Sequence, residues 1–281
     1  MGAVVAVLQS DSNLMRCQVH RLGAHVALGT PDRPPDAYGF GHYTASDVLL
    51  GKRPSGATHL LELKDLVGDV DTEALLVHGR HATVGNHKDE NTHPFRHRRW
   101  LFAHVGTIEG FDVVRPALLA ELPDHLRRGI TGETDSEHAF ALFLKILRDT
   151  GELDNLDLDP SIVGRALAAT VKRIDELSRT AGVQKPSTLG FVVTNGRILA
   201  GTRRGTPLFY ALLEGILPCE REGISASAKE TDPRFGAHRR VKAVCFATHL
   251  LAPNGFIEVP ESSVVTVSRT LQVKVSSLSA F

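Results

Sequence analysis

The side chains that could do chemistry concentrate between residues 78 and 137. Six histidines fall within 27 residues there, and imidazole is a common ligand of transition metals; they are His78, His81, His87, His93, His97 and His104. Pro94 prevents His93 and His97 from sharing a helical face, and no nearby spacing matches a structural zinc site or a metalloprotease. We therefore expect hydrogen-bonded structural histidines here, with no metal ion and no cofactor.

The same region holds four short motifs. They are Arg80-His81-Ala82-Thr83-Val84-Gly85, Asn91-Thr92-His93-Pro94-Phe95, Phe102-Ala103-His104-Val105-Gly106-Thr107-Ile108 and Gly132-Glu133-Thr134-Asp135-Ser136-Glu137. The sequence has no Walker loop, no GxSxG elbow and no HExxH helix, and Gly39-Phe40-Gly41 lacks the third glycine of a dinucleotide-binding loop. These common catalytic signatures therefore do not explain the region.

In this order, the four motifs resemble the core of class II glutamine amidotransferase domains, which belong to the N-terminal-nucleophile (Ntn) hydrolases. Residues 36–41 resemble the family's DGWG-type strand, and residues 247–267 resemble its closing strands more loosely. One such motif would be unspecific, but four in sequence favour the family. The resemblance implies hydrolysis of the glutamine amide by an N-terminal thiol, with its α-amino group as base and an oxyanion hole for the intermediate.

Position by position, the resemblance implies a ligand pocket. Arg80 matches the guanidinium that holds the substrate carboxylate, and Asp135 matches the carboxylate that pairs with the substrate ammonium group. Thr83 and His93 match the lining of the pocket. Gly106 matches the glycine whose backbone N–H group donates to the oxyanion.

Two positions depart from the family pattern, and both affect the chemical step. The family begins Met-Cys and loses the methionine, whereas Gly2 stands here without a side chain that could attack a carbonyl. Val105 replaces the asparagine that donates to the oxyanion, and one lost donor typically costs about 10²–10³ in kcat. We therefore expect a naturally degenerate site with no catalytic residue.

Several of these residues also have simpler explanations. Thr134 and Glu137 would form a capping box at the start of any helix, which leaves Asp135 as a favourable first-turn charge. Cys17 could be a relocated nucleophile, but it lies on a short amphipathic helix predicted to end at Leu22, and we expect a structural thiol. Thr83 could be a replacement nucleophile, but the sequence identifies no base for it.

Composition limits the remaining possibilities. The chain has 281 residues, 42% of them hydrophobic, with 32 basic against 32 acidic residues and three scattered cysteines. The balanced charge offers no global field for nucleic acid, and no apolar stretch reaches the roughly 18–20 residues of a membrane helix. We expect one domain over residues 1–281 in the reducing cytoplasm, without nucleic acid or membrane as partner.

Hydrophobic periodicity predicts strands at both ends of the chain and helices in the middle. Early strands are expected at 3–8, 38–43, 48–50, 75–78 and 100–104, helices at 111–121, 136–147 and 161–180, and six short strands after residue 186. Pro116 predicts a break or early end in the first of these helices. Because strands and helices rarely alternate, the pattern favours an α+β fold. The resemblance specifies it as a four-layer αββα sandwich of two antiparallel sheets covered by helices, the Ntn-hydrolase type.

The sequence thus predicts a class II glutamine amidotransferase-like protein without glutaminase activity. It would bind glutamine or a related amino acid, or serve as a scaffolding subunit for a protein partner. The alternative is an active amidotransferase or amide hydrolase with a non-standard or partner-supplied nucleophile.

Overall fold

Two antiparallel sheets form the centre of the molecule. The computed structural model describes residues 2–30, 32–53, 60–81, 88–227 and 231–281. The first sheet has the order β11-β9-β10-β1-β4-β2-β3 and contains β1 (Ala3–Gln9), β2 (Ala37–Tyr43), β3 (Val48–Arg53), β4 (Ala74–Arg80), β9 (Phe209–Glu214), β10 (Lys242–Ala247) and β11 (Ile257–Glu258). The second has the order β13-β12-β8-β7-β6-β5 and contains β5 (Phe95–His97), β6 (Trp100–Thr107), β7 (Thr188–Thr194), β8 (Leu199–Arg203), β12 (Ser263–Val267) and β13 (Val273–Ser277).

Seven helices accompany the two sheets in the described part of the chain. They are α1 (Met15–Leu22), α2 (Leu63–Val67), α3 (Phe111–Glu121), α4 (Asp124–Arg127), α5 (Asp135–Asp149), α6 (Pro160–Thr180) and α7 (Pro233–Arg240). Short 3₁₀ turns lie at Ser12–Leu14, Asp89–Asn91 and Leu278–Ala280.

Strand β1 shows how the layers pack. Every residue of β1 is buried, because it lies between β10 and β4 and both of its faces are covered. Val5 and Val7 pack against α1 and α2, whereas Val4 and Ala6 pack against the second sheet, as the two-residue period of a strand requires. Helices α3, α5 and α6 cover the other face of the second sheet. The predicted αββα sandwich is confirmed.

Helix α3 corrects one expectation. The helix runs unbroken from Phe111 to Glu121 with Pro116 inside it, so the predicted break is wrong. Pro116 is exposed, and so is Asp112, whose carbonyl would have accepted the missing N–H bond and can reach water instead. Val114 and Leu118 on the opposite face are buried in the core and hold the helix in place.

Helix α5 begins one residue earlier than predicted. The Thr134 hydroxyl accepts a hydrogen bond from the Glu137 backbone N–H, 3.2 Å, as a capping residue should. The Glu137 carboxylate instead accepts from the backbone N–H groups of Thr131, 2.9 Å, and Gly132, 2.7 Å. Only half of the predicted capping box therefore forms, and the other half fixes the loop that leads into α5. Within the described ranges, no helix is both long enough and apolar enough to cross a membrane.

Candidate functional site

The ends of β4 and β6 and the start of α5 enclose a narrow polar cavity beside Gly2. We call it the arginine cavity; it is lined by Gly2, His78, Arg80, His81, His93, His104, Gly106, Thr134, Asp135 and Ser136. The pairing of Ala3 with Gly79 places Gly2 next to the end of β4. The structure thus brings together five of the seven residues that the sequence singled out. Thr83 lies outside the described residues, and Val105 borders an adjoining cavity that shares Gly2 and His81.

Arg80 and Asp135 give the arginine cavity one group of each charge. Both are only 3% exposed. Burial lowers the pKa of the Arg80 guanidinium, and the carboxylates of Asp36 and Asp135 oppose this shift, but arginine remains protonated at neutral pH. The Asp135 carboxylate accepts from the backbone N–H groups of Ile108, 2.7 Å, and Ser136, 2.8 Å. These bonds fix its position at the N-terminus of α5, where the helix dipole favours a negative charge.

Three buried imidazoles, those of His78, His93 and His104, line the same cavity. The ring centroids of His78 and His93 lie 4.1 Å apart, and Nε2 of His78 is 3.3 Å from the backbone oxygen of His104. Burial lowers the pKa of His78 to about 3, holds the pKa of His93 well below its usual value and also lowers the pKa of His104. His78 and His93 are therefore neutral at pH 7, whereas the Arg80 guanidinium brings a positive charge to the cavity.

Hydrogen bonds assign the ring of His104 but leave His93 unpartnered. Nε2 of His104 lies 3.0 Å from the Thr188 carbonyl oxygen and donates to it. Nδ1 of His104 lies 3.0 Å from the Ser136 hydroxyl, which is also within hydrogen-bond distance of the Asp135 carboxylate, 3.2 Å. Both ring nitrogens of His93 and Nδ1 of His78 are buried without a hydrogen-bond partner. Buried polar atoms are rarely left unpaired, so these nitrogens point to a ligand or to water in the cavity.

Gly106 is required by the backbone itself. Its φ is +151°, and a Cβ atom added there would lie 1.9 Å from the carbonyl oxygen of Thr188 on β7. The residue pairs with Leu189, so the close approach belongs to the β6–β7 ladder. The chain therefore needs glycine at this position whatever role its N–H group has.

The two departures from the family pattern, Gly2 and Val105, line the same adjoining cavity. The Val105 side chain is 2% exposed and packs between the two sheets, where it offers no donor. A Cβ atom added to Gly2 would lie 2.6 Å from the Gly79 carbonyl oxygen and 3.1 Å from the His78 ring. A side chain at position 2 would therefore need the backbone there to shift.

A family model described as class-II glutamine amidotransferases matches residues 15–214. The chain belongs to this family. It is similar to the Saccharomyces cerevisiae protein named Probable glutamine amidotransferase DUG3, with 30% identity over 187 residues, or 60% of this chain and 51% of that relative. The chain spans about half the length of the curated relatives it matches.

Solved structures agree on the fold. A glutamine aminotransferase class-II domain protein from Silicibacter pomeroyi superposes with a TM-score of 0.60 at 19% identity and covers 98% of this chain and 99% of that one. Glutamine phosphoribosylpyrophosphate amidotransferase from B. subtilis gives a TM-score of 0.50 at 12% identity over 98% of this chain and 49% of that one. The class II amidotransferase fold therefore extends beyond the strongly matching motifs.

The structure also tests the other candidates from the sequence. Cys17 is 1% exposed and does not line the arginine cavity, and burial raises the pKa of its thiol to about 12. Such a thiol is not a relocated nucleophile of this amidotransferase-type site. Among the described members of the histidine set, no three bring their ring nitrogens together as metal ligands would. Sequence reasoning missed the bond between His104 and Ser136, although both residues lie within the recognised motifs.

Proposed function

We propose that this class II amidotransferase-like chain binds glutamine or a related α-amino acid in the arginine cavity and does not hydrolyse it. One observation carries the proposal: the two groups suited to a zwitterion are present, and the two groups needed for the chemical step are not. Arg80 is suited to a carboxylate and Asp135 to an ammonium group. Gly2 offers no nucleophile, and Val105 offers no oxyanion donor.

The unpartnered nitrogens of His93 and His78 support a bound polar molecule. A neutral imidazole offers one donor and one acceptor, which matches the mixed donors and acceptors of a carboxamide. We further propose that Thr83 lines the pocket for this ligand.

Calorimetric titration with L-glutamine tests binding. We expect Arg80→Lys to weaken binding at least about 10-fold, because lysine cannot reproduce the bidentate guanidinium contact. Asp135→Asn should weaken it similarly, because the side-chain shape is kept and the charge is lost. Arg203→Lys is the matched control, since Arg203 pairs with Glu258 and Glu261 away from the cavity. A Kd of about 1 mM corresponds to a binding free energy of about −4 kcal/mol. If no binding is detected at about 1 mM glutamine, the ligand-binding function is ruled out and the scaffolding role is left.

An ammonia-release assay with glutamine tests the loss of chemistry. We expect no turnover by the native chain. The double change Gly2→Cys and Val105→Asn should restore activity if the cavity is otherwise intact, provided that the backbone at residue 2 relaxes away from the Gly79 oxygen. Turnover by the native chain that Arg80→Lys abolishes would instead establish the alternative, an active amide hydrolase with another nucleophile. A glutamine-mimicking electrophile and mass spectrometry would then locate that nucleophile.

A protein partner is a further part of the proposal. Four exposed leucine and isoleucine side chains lie on strands at both ends of the first sheet: Leu49, Leu50, Leu212 and Ile257. Exposed apolar residues near the edges of a sheet favour association with another chain. The balanced charge supports protein rather than nucleic acid. We also propose that the protein is cytoplasmic. Light scattering would show whether the chain associates with another copy of itself, and affinity purification from the cytoplasmic fraction would show a different partner.

A further inference from the structure

A second polar cluster lies away from the arginine cavity. We call it the cysteine cluster: Cys17 on α1, Cys219 in the loop after β9, and His238 on α7. The three side chains are 1%, 3% and 3% exposed, in that order. One sulfur or nitrogen atom of each lies within 4.8 Å of the other two. In the described part of the chain this is the one such convergence of three potential metal ligands.

The spacing of the cluster fits a tetrahedral ion. Sγ of Cys17 lies 3.6 Å from Nε2 of His238. Zinc–sulfur and zinc–nitrogen bonds of about 2.3 and 2.05 Å at a tetrahedral angle separate the two ligand atoms by about 3.6 Å. The two side chains therefore already have the separation that a shared zinc ion would impose.

The His238 ring is also oriented as a metal-bound imidazole would be. Its Nδ1 lies 2.9 Å from the backbone oxygen of Arg234. A carbonyl oxygen can only accept, so Nδ1 carries the proton of the neutral ring, and the Nε2 lone pair is directed at Cys17. Metal-bound histidines typically donate their other N–H group to a carbonyl or carboxylate in this way.

The backbone holds Cys219 against the same point. Its N–H group donates to the Ile224 carbonyl at 2.8 Å, and its carbonyl accepts from the Ile224 N–H group at 2.9 Å. Leu14, Ile216 and Val241 pack around the cluster. A surface cavity reaches both sulfur-bearing residues and offers a path for an ion and for one water molecule.

We propose that Cys17, Cys219 and His238 bind one Zn²⁺ ion as two thiolates and a neutral imidazole, with a water molecule in the fourth position. Thiolate and imidazole ligands favour zinc over the harder ions Mg²⁺ and Ca²⁺. On binding, each thiol releases its proton to solvent, and the ion takes the place of the proton between Cys17 and His238. The site is independent of glutamine binding, because none of its residues lines the arginine cavity.

Metal content of the full chain tests the proposal. The protein is purified under reducing conditions, stripped with a chelator, incubated with Zn²⁺ and passed over a desalting column. We expect one zinc per chain, and with Co²⁺ we expect the charge-transfer absorption of thiolate ligation. Cys219→Ser should weaken metal binding more than about 100-fold, beyond what loss of an outer hydrogen bond costs.

Cys245→Ser is the matched control, since Cys245 is a buried thiol on β10 outside the cluster. It should keep both the zinc and the cobalt absorption. If Cys219→Ser does not fold, His238→Gln and the cobalt spectrum of the unmodified chain decide the matter. The proposal is overturned if the unmodified chain retains no stoichiometric zinc, if the Cys219 and Cys245 variants bind equally, or if mass spectrometry finds a Cys17–Cys219 disulfide in its place.

Discussion

The arginine cavity and the cysteine cluster are both buried and polar, but their atoms are satisfied in opposite ways. In the cavity, a guanidinium and a carboxylate lie near imidazole nitrogens that have no partner. In the cluster, Cys17 and His238 bond to each other, and the second nitrogen of His238 is bonded to the backbone. Unpaired groups of mixed character suit a polar organic molecule, whereas lone pairs directed at one point suit a cation.

The two sites also differ in what holds them. Arg80, His104 and Asp135 stand on paired strands or at the first turn of a long buried helix. The cysteine cluster joins two eight-residue helices and a loop. A site on rigid elements keeps its shape without its ligand, but a site on short elements gains more order from binding. We therefore expect metal to stabilise the cluster more than glutamine stabilises the cavity.

Low pH should give the largest difference between the two sites, because the buried histidines of the arginine cavity make the stability of the fold depend on pH. His78 and His93 are held neutral in the folded protein, because burial places the pKa of each far below the ordinary value. Below about pH 6.5 the unfolded chain binds more protons than the folded one, so stability falls as the pH falls, by about 1.4 kcal/mol per pH unit for each imidazole. Between pH 6.5 and 5 we expect a loss of about 3 kcal/mol from these two histidines, because each unfolded imidazole is only half protonated at the upper limit.

Urea unfolding at a series of pH values, with chelator present so that the cysteine cluster is metal-free, measures this loss. His93→Phe removes one of the two buried imidazoles. The unfolding free energy of this variant should therefore fall with decreasing pH about half as much as that of the native chain. His125→Gln, which changes an exposed imidazole, is the control and should leave the slope unchanged. A slope that does not respond to His93→Phe would contradict the assignment of neutral imidazoles to the cavity.

Replacement of Gly106 should damage the cavity wall and the sheet together. Gly106→Ala places a methyl group against the Thr188 oxygen at a φ of +151°, and we expect a loss of about 3 kcal/mol or more in unfolding free energy. Gly151→Ala is the matched control, with a φ of +81° and no atom within 4 Å of the added Cβ; it should cost only about 1 kcal/mol. If the two variants lose the same unfolding free energy, glycine is required at position 106 for its backbone conformation and not because of the close contact with β7.

The arginine cavity could be predicted because its residues lie in motifs close to one another in sequence. Arg80, His93, Gly106 and Asp135 stand in four consecutive segments, and strand pairing adds Gly2. Hydrophobic periodicity likewise located the main strands and the long helices. It misjudged α3, because the tolerance of Pro116 depends on which face of the helix meets solvent, and that is a property of packing.

The cysteine cluster could not be predicted for a physical reason. Cys17 and His238 are 221 positions apart, and no short ligand spacing marks Cys219. Helix α7, which carries His238, has few buried residues and therefore little of the periodicity that identifies a helix. The cluster arises only when β9 and β10 pair and bring both ends of their connection against α1. Scattered cysteines are thus informative only after the fold is known.

Replacement of Glu137 should affect the arginine cavity and leave the cysteine cluster unchanged. We expect a smaller loss of stability than for Gly106→Ala. Its carboxylate accepts from the N–H groups of Thr131 and Gly132 in the loop before Asp135. Glu137→Ala leaves both donors without this partner, so we expect a loss of about 2 kcal/mol in unfolding free energy and weaker glutamine binding. Glu133→Ala, an exposed change in the same loop, should cost under about 0.5 kcal/mol.

The cobalt absorption of the cysteine cluster should stay the same in both variants, because neither residue touches it. A change in that absorption in Glu137→Ala alone would mean that the two sites are coupled through the fold.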